Sequence, residues 1–289
     1  MWRAHGFTSE RLRKEIPVLQ ACKPITLSTD YRPPFNWTAL LHATRMGVRG
    51  CISPSYEWVR NYSHEYTFQN CLSLQIPAEL SRQSHTVLGK ARALFDLDAN
   101  PLVIEAALSR DLFLRQLIVR HSVLRVPGCW DNFELLLRVI LGQQVSVAGA
   151  TTTMRRLVDR IGVTPANIAA SSPEAIAAIG MPLKRATTIW MLGDMVQSGI
   201  MHLDERDPQL FYEQLVALPG IGPWTAEYMR MRVLHCPDAF PASDLGLQKA
   251  AMPGQRQTER QLIAHSTAWQ PWRSYATILL WKSLENLGG

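Results

Sequence analysis

Leu218-Pro219-Gly220-Ile221-Gly222-Pro223-Trp224-Thr225-Ala226 decides how the rest of this 289-residue chain is read. Two glycines flank one apolar residue, and a proline stands on either side. Proline suits the first turn of a helix, and glycine supplies positive φ and close backbone approach. The stretch therefore predicts a tight hairpin between two helices. One helix is opened by Asp207-Pro208 and runs to Ala217; the other runs from Trp224 to Leu234. Ile221 is expected to anchor the turn in the core. The N–H groups that open the second helix have no partner inside it, so together with the helix dipole they can hold a phosphate without reading a base. A plain tight connection would look the same, and the hairpin alone leaves both open.

Helical punctuation continues on either side. Asp131 caps Phe133 to Leu141, Ser172-Pro173-Glu174 opens Ala175 to Ile179 before Gly180, and Lys184 to Val196 stops near Gly199. No strand is predicted after Asn100. Upstream the texture is mixed: Trp37 to Met46 is helix-like, whereas Tyr56 to Val59, Glu65 to Phe68 and Cys71 to Ile76 are β-prone runs broken by Pro, Asn and Ser. The expected fold class is α+β, a small N-terminal antiparallel sheet domain with helices followed by a mostly α-helical core. Residues 1–22 read as a short basic prelude.

Thirty Lys and Arg against 24 Asp and Glu give a formal net charge of +6, which suits a polyanionic partner. With 47% hydrophobic residues the chain can bury a sizeable core, divided into two or three compact units. The five cysteines, Cys22, Cys51, Cys71, Cys129 and Cys236, are scattered without a C-x-x-C pair, so each reads as a small apolar residue in a reducing compartment. That favours a cytoplasmic location and leaves no cysteine-ligated cluster to expect. No apolar run approaches the ~18 residues of a membrane helix and the N-terminus lacks a signal-like apolar region, so no membrane partner is expected.

Downstream of the hairpin, Phe240-Pro241-Ala242-Ser243-Asp244 precedes Leu245-Gly246-Leu247-Gln248-Lys249. Asp244 reads first as a helix cap. A helix N-terminus also favours negative charge, so the same position suits a carboxylate that must face a cation, and the two roles are compatible.

Taken together, the hairpin and this aspartate resemble the signature of the helix-hairpin-helix DNA glycosylase superfamily. Further stretches resemble its 3-methyladenine DNA glycosylase II (AlkA) branch: Pro33-Pro34-Phe35-Asn36-Trp37, Leu124-Arg125-Val126-Pro127-Gly128-Cys129-Trp130, Ile140-Leu141-Gly142-Gln143-Gln144-Val145-Ser146, Gly180-Met181-Pro182-Leu183-Lys184-Arg185-Ala186 and Trp269-Gln270-Pro271-Trp272-Arg273-Ser274-Tyr275-Ala276. The resemblance covers about residues 24 to 285. The prelude His5 to Lys14 faintly resembles the closing helix of an AraC-type DNA-binding domain.

The resemblance implies a division into a prelude (1–22), an α+β domain (23–98), a helical subdomain carrying the aspartate (99–117 with 236–289) and a helical domain holding the hairpin (118–235). It implies double-stranded DNA containing alkylated bases as the partner, a monomeric protein, and hydrolysis of the N-glycosidic bond of a flipped-out purine, with Asp244 as the carboxylate that meets the sugar cation. Where relatives that also cut the strand carry a lysine, this chain has Trp224, so an intact strand with an abasic site is the expected product. Trp224 and Tyr228 share one helix face and, with Trp281 and Leu245, are the expected base pocket; aromatic faces attract a cationic alkylated base. Leu245 replaces a tyrosine of the best-known pattern, and an aromatic is replaced near Ala43. Gly220, Ile221, Gly222, Thr225, Lys184, Arg185 and Arg273 are the expected DNA contacts, with Gln143 or Gln144 as the side chain that fills the gap left by the flipped base. No cofactor is expected, apart from a structural Na+ or K+ held by the backbone carbonyls of Val216, Leu218 and Gly220. Two other readings stay open: a glycosylase for an oxidised or deaminated purine, and a non-catalytic DNA-binding or damage-sensing protein.

Overall fold

A computed structural model describes residues 25–33, 71–76, 78–121, 125–252 and 254–285. These fall into two compact units, the first built from residues 25–31 and 71–92 and the second from 32–33 and 93–285. The four-way division that the resemblance implies is finer than these two units. The prelude, the helix-like patch Trp37 to Met46 and the runs Tyr56 to Val59 and Glu65 to Phe68 lie outside the described residues.

In the first unit, β1 (Ile25–Asp30) pairs antiparallel with β2 (Cys71–Ile76) in the register Ile25↔Ile76, Leu27↔Leu74 and Thr29↔Leu72. Side chains alternate between faces of a strand, and the register brings one set together: Leu72, Leu74 and Ile76 are buried while Thr26, Ser28 and Asp30 are exposed. Among the described residues the sheet has two strands. A 3-10 turn, Ala78–Gln83, leads into α1 (Ser84–Leu94), where Arg92 ties back to β1 by donating to the Thr29 hydroxyl and the Asp30 carbonyl.

Among the described residues the regular elements of the second unit are helical: α2 (Pro101–Leu108), α3 (Leu112–His121), α4 (Asn132–Gly142), α5 (Val147–Arg160), α6 (Pro165–Ala169), α7 (Pro173–Ala177), α8 (Leu183–Gln197), α9 (Pro208–Val216), α10 (Pro223–Arg232), α11 (Leu245–Ala250), α12 (Glu259–Ser266) and α13 (Arg273–Glu285). Most begin where the sequence offers a cap. Asp131 accepts from Glu134 N at 2.8 Å, Ser172 from Ala175 N at 3.2 Å and Asp207 from Gln209 N and Leu210 N at 2.8 and 2.9 Å. Neither α8, after Pro182, nor α10, after Gly222, starts on a side-chain cap. Leu136, Leu137, Ile140 and Leu141 of α4, Ile189 and Leu192 of α8, Phe211 and Leu215 of α9 and Met229 of α10 meet in one apolar core.

The strap Arg125 to Trp130 is pinned by buried polar groups whose partners are remote in sequence. Arg125 donates to the carbonyls of Arg32, Asp96 and Ala99, and Val126 N donates to the Asp96 carboxylate at 2.9 Å. Arg232, on α10, donates to the carbonyls of Pro127 and Gly128. Such buried carbonyls are costly if left unpaired.

Two ionisable groups in this region have opposite effects on stability. Burial pushes the Asp96 carboxyl up to about 6, against the pull of Val126 N–H, the Tyr275 hydroxyl and Arg125. Burial, with the charge of Arg232, pushes the His235 imidazole down to about 4. The folded state therefore prefers protonated Asp96, a contribution complete below pH 3.8 and lost as pH rises through about 6. It also prefers neutral His235, a contribution complete above pH 6.5 and lost as pH falls through about 4. Each displacement is worth about 3 kcal/mol, so between pH 4 and 6 the two nearly cancel. Relative to wild type, Asp96→Asn should make stability rise more steeply with pH across this window, and His235→Gln should make it fall. Urea unfolding at pH 4.5 and 6.5 separates the two slopes.

Candidate active site

The hairpin forms as the sequence predicts, between α9 and α10. Leu218 and Ile221 are buried and Ile221 N donates to Leu218 O at 3.0 Å, closing the turn onto the core. The two glycines differ from the sequence expectation. Gly220 has φ +90°, and a Cβ there would stand 2.7 Å from Thr188 Oγ1, whose hydroxyl donates to Pro219 O at 2.7 Å. Gly222 has φ −101°, open to any residue, and a Cβ there would meet no atom within 4 Å. The chain itself demands glycine at 220 and not at 222.

Proline at the first position of α10 and the bare Gly222 before it leave the start of this helix uncapped by any side chain. From that turn Trp224 and Tyr228, four residues apart, project together: their rings stack with centroids 5.2 Å apart and planes 9° from parallel. Tyr228 also meets Trp281 of α13, at 6.1 Å and 49°. Its hydroxyl is held by Arg232, which donates to it at 2.5 Å and places its guanidinium 5.3 Å from the ring centroid. Arg232 thus fixes both the strap and the aromatic wall, a role not legible in the sequence, since a basic residue in the last turn of a helix is usually solvated.

Asp244 caps α11 and does more than cap it. Its Oδ1 accepts from Leu247 N at 2.8 Å and from Trp281 Nε1 at 3.1 Å; its Oδ2 accepts from Trp224 Nε1 at 2.9 Å. A half-buried carboxylate is thereby held by three neutral donors, with no cation among the described residues in contact, and Oδ2 keeps a lone pair for a further partner. Trp224 and Trp281 present their indole N–H edges to the carboxylate, and Trp224 also lays its face on Tyr228. Trp224→Phe keeps a ring over Tyr228 and deletes the N–H that fixes Oδ2. The lost hydrogen bond should lower stability by about 1 kcal/mol, which urea unfolding of the variant beside wild type would read.

A cleft of about 690 Å³ opens in front of this cluster, lined by Arg138, Val139, Gln143, Gln144, Val145, Met154, Gly220, Gly222, Trp224, Thr225 and Tyr228 among others. Trp224 belongs to the lining and bonds to Asp244, which with Trp281 falls outside it. Arg138 reaches the cleft from α4 and donates to Oε1 of buried Glu134 at 2.6 Å; burial pushes the Glu134 carboxyl up, and Arg138 opposes that. Neither residue stood out in the sequence, because an i, i+4 ion pair reads as an ordinary helix surface.

The turn between α4 and α5 forms the cleft's rim. Gln144 is exposed at its tip with φ +58°, and Val145 beside it is exposed; Gln143 turns back, its Nε2 donating to Gly220 O at 3.2 Å. Ile221 and Thr225 are buried, so the hairpin offers its backbone there. Lys184 is exposed in the first turn of α8, while Arg185 donates to Gln143 O at 2.7 Å. Two expected site residues stand elsewhere. Leu245 is 56% exposed and outside the cleft lining, because the first residue of α11 projects away from the core. Arg273 is committed to a bidentate pair with Asp238, both contacts at 2.7 Å, beside a smaller cavity of about 190 Å³.

Two family models match the chain, the AlkA N-terminal domain over residues 26–131 and the HhH-GPD superfamily base excision DNA repair protein over residues 137–268. A relative from Mycobacterium tuberculosis, named as a probable bifunctional transcriptional activator/DNA repair enzyme AlkA, is 42% identical over 91% of this chain; the chain spans 58% of its length. DNA-3-methyladenine glycosylase 2 of Escherichia coli is 32% identical over 87% of the chain and 95% of that protein. The 3-methyladenine DNA-glycosylase structure from Archaeoglobus fulgidus superposes with a TM-score of 0.72 at 19% identity, covering 91% of this chain and 99% of that one. The chain belongs to the helix-hairpin-helix superfamily of base-excision DNA repair proteins, in the branch that carries an AlkA N-terminal domain.

Among the described residues no helix is long and apolar enough to cross a membrane.

Proposed function

We propose that the chain is a monofunctional DNA glycosylase that hydrolyses the N-glycosidic bond of alkylated purines, of the 3-methyladenine and 7-methylguanine type, in double-stranded DNA. The observation that carries this reading is the Asp244 carboxylate gripped by the indole N–H groups of Trp224 and Trp281, with Trp224 also stacked on Tyr228. The names of the Escherichia coli and Mycobacterium tuberculosis relatives point the same way.

An alkylated purine is cationic, so the C1′–N bond breaks with its electron pair moving to the base, which leaves neutral, and positive charge passes to the sugar. Electron-rich aromatic faces hold the cation before the break, and a fixed carboxylate stabilises the sugar cation that follows. Water then adds to C1′ and gives up a proton, leaving an abasic site. The position where strand-cutting relatives carry lysine holds Trp224, which forms no Schiff base. DNA is held by the hairpin backbone around Gly220 and Gly222 and by exposed Lys184, and Gln144, at the exposed tip of the rim, enters the space vacated by the base. The Leu218 and Gly220 carbonyls each accept one hydrogen bond, from Ile221 N and Gln143 Nε2, and each keeps a second lone pair. With the Val216 carbonyl they would hold a Na+ or K+, which would brace the turn. The protein acts as a monomer in the cytoplasm.

Base release from duplexes containing 7-methylguanine, 3-methyladenine, hypoxanthine or 8-oxoguanine tests the reading. Release of the two methylated bases is expected; release of 8-oxoguanine alone would overturn the substrate assignment.

A further inference from the structure

The geometry points to Arg185 as a positioning residue that sets the base-displacing loop against the DNA-holding hairpin, rather than as a phosphate contact. This rests on the glycosylase reading above. Three hydrogen bonds close a ring around these two loops. Arg185 Nη2 donates to Gln143 O at 2.7 Å, Gln143 Nε2 donates to Gly220 O at 3.2 Å, and Thr188 Oγ1 donates to Pro219 O at 2.7 Å. One face of α8, carrying Arg185 and Thr188 less than one turn apart, therefore grips both the rim loop and the hairpin, and Gln143 links the loops directly.

The ring matters because both loops hold awkward backbones. Gln144, the residue after the one Arg185 grips, is a non-glycine with φ +58°, and Gly220, the residue Gln143 grips, has φ +90°. A non-glycine residue in the left-handed region costs about 1 kcal/mol or more and persists only where surrounding contacts impose it. Gln143 is held from α8 immediately before the exposed tip Gln144-Val145, whose Val145 N donates back to Gly142 O at 3.5 Å, so the Arg185 bond helps set where this turn stands relative to the hairpin. A chain fixed on DNA by its hairpin then presents Gln144 at one set distance from the held phosphates. Lys184, the preceding residue, is exposed and has no such bond in the ring.

Salt dependence separates the two roles. A side chain that neutralises a phosphate contributes about 0.9 to the slope of log affinity against log salt, and a positioning residue contributes nothing. Arg185→Met and Lys184→Met would be compared with wild type for binding to a duplex bearing an abasic-site analogue opposite 2-aminopurine, across 50 to 250 mM KCl (~5-fold in salt,). For Arg185→Met the expected result is an unchanged slope with the 2-aminopurine fluorescence rise at saturation cut at least threefold, and Arg185→Lys, which keeps one donor and the fold, should recover part of that rise. Lys184→Met should lower the slope by about 0.9. A slope lowered by about 0.9 in Arg185→Met, with the fluorescence rise intact, would overturn the proposal and make Arg185 a phosphate contact. Neither arm requires base excision, and wild-type excision in the same preparation tests the glycosylase reading on its own.

Discussion

Asp244→Asn should slow release of 7-methylguanine by a hundred- to a thousand-fold or more, the usual cost of removing a preorganised charge from the reacting centre, roughly 3–4 kcal/mol. Affinity for abasic-site DNA should stay within a few-fold. The substitution is suited to this question because asparagine caps helices as well as aspartate does, so the bond to Leu247 N survives. What changes is the charge and one of the two indole contacts, since an amide NH2 cannot accept from an indole N–H. The structural loss is about one hydrogen bond, on the order of 1 kcal/mol, whereas the catalytic loss is several times that. Single-turnover release and binding isotherms on one preparation separate the two. A variant that excises normally would remove Asp244 from the chemistry, and one that fails to bind would make its role architectural.

Alanine at the two hairpin glycines should act in opposite ways. Gly220→Ala forces a Cβ to 2.7 Å from Thr188 Oγ1 at φ +90°, so it combines left-handed strain with loss of the Thr188–Pro219 bond. Destabilisation of about 2–4 kcal/mol follows, with binding lost alongside. Gly222→Ala meets no protein atom within 4 Å and leaves an ordinary φ, so stability should change by less than about 1 kcal/mol. Its Cβ instead occupies the open approach to the N–H groups of α10. DNA affinity should fall about tenfold for every sequence tested, as expected where the contact is to backbone phosphate. Thermal unfolding with binding to undamaged and abasic DNA reads both effects. Normal affinity in Gly222→Ala would place the phosphate elsewhere.

The difference between these glycines marks where the sequence runs out. The string Pro-Gly-Ile-Gly-Pro located the turn and its flanking helices to within a residue or two, because helix breakers and caps act locally. It could not say which glycine the fold needs, since that depends on Thr188, which α8 brings in from another part of the chain. Asp244 is similar. Its capping role was legible from Ser243-Asp244 ahead of an apolar run, but the two indoles that hold it come from α10 and α13. The basic residues were the least legible. Lys184 and Arg185 look alike as neighbours in a first helical turn, yet one faces solvent and the other grips a loop carbonyl. Arg273, placed among the DNA contacts by the resemblance, pairs with Asp238 through two bonds of 2.7 Å. Arg232, which holds both the strap and Tyr228, gave no sign at all, because its partners at Pro127 and Gly128 are more than a hundred residues away. Local chemistry was readable from the sequence; the direction of a long side chain was not.

The most direct measurement is a single-turnover reaction of the wild-type protein with a duplex containing one 7-methylguanine, scored at once for free base by chromatography and for strand integrity on a denaturing gel. The expected result is free 7-methylguanine with an intact strand that breaks only after hot alkali, and no protein–DNA adduct under borohydride. No free base, or a strand nicked without alkali and an adduct trapped by borohydride, would contradict a monofunctional glycosylase built on Asp244 and Trp224.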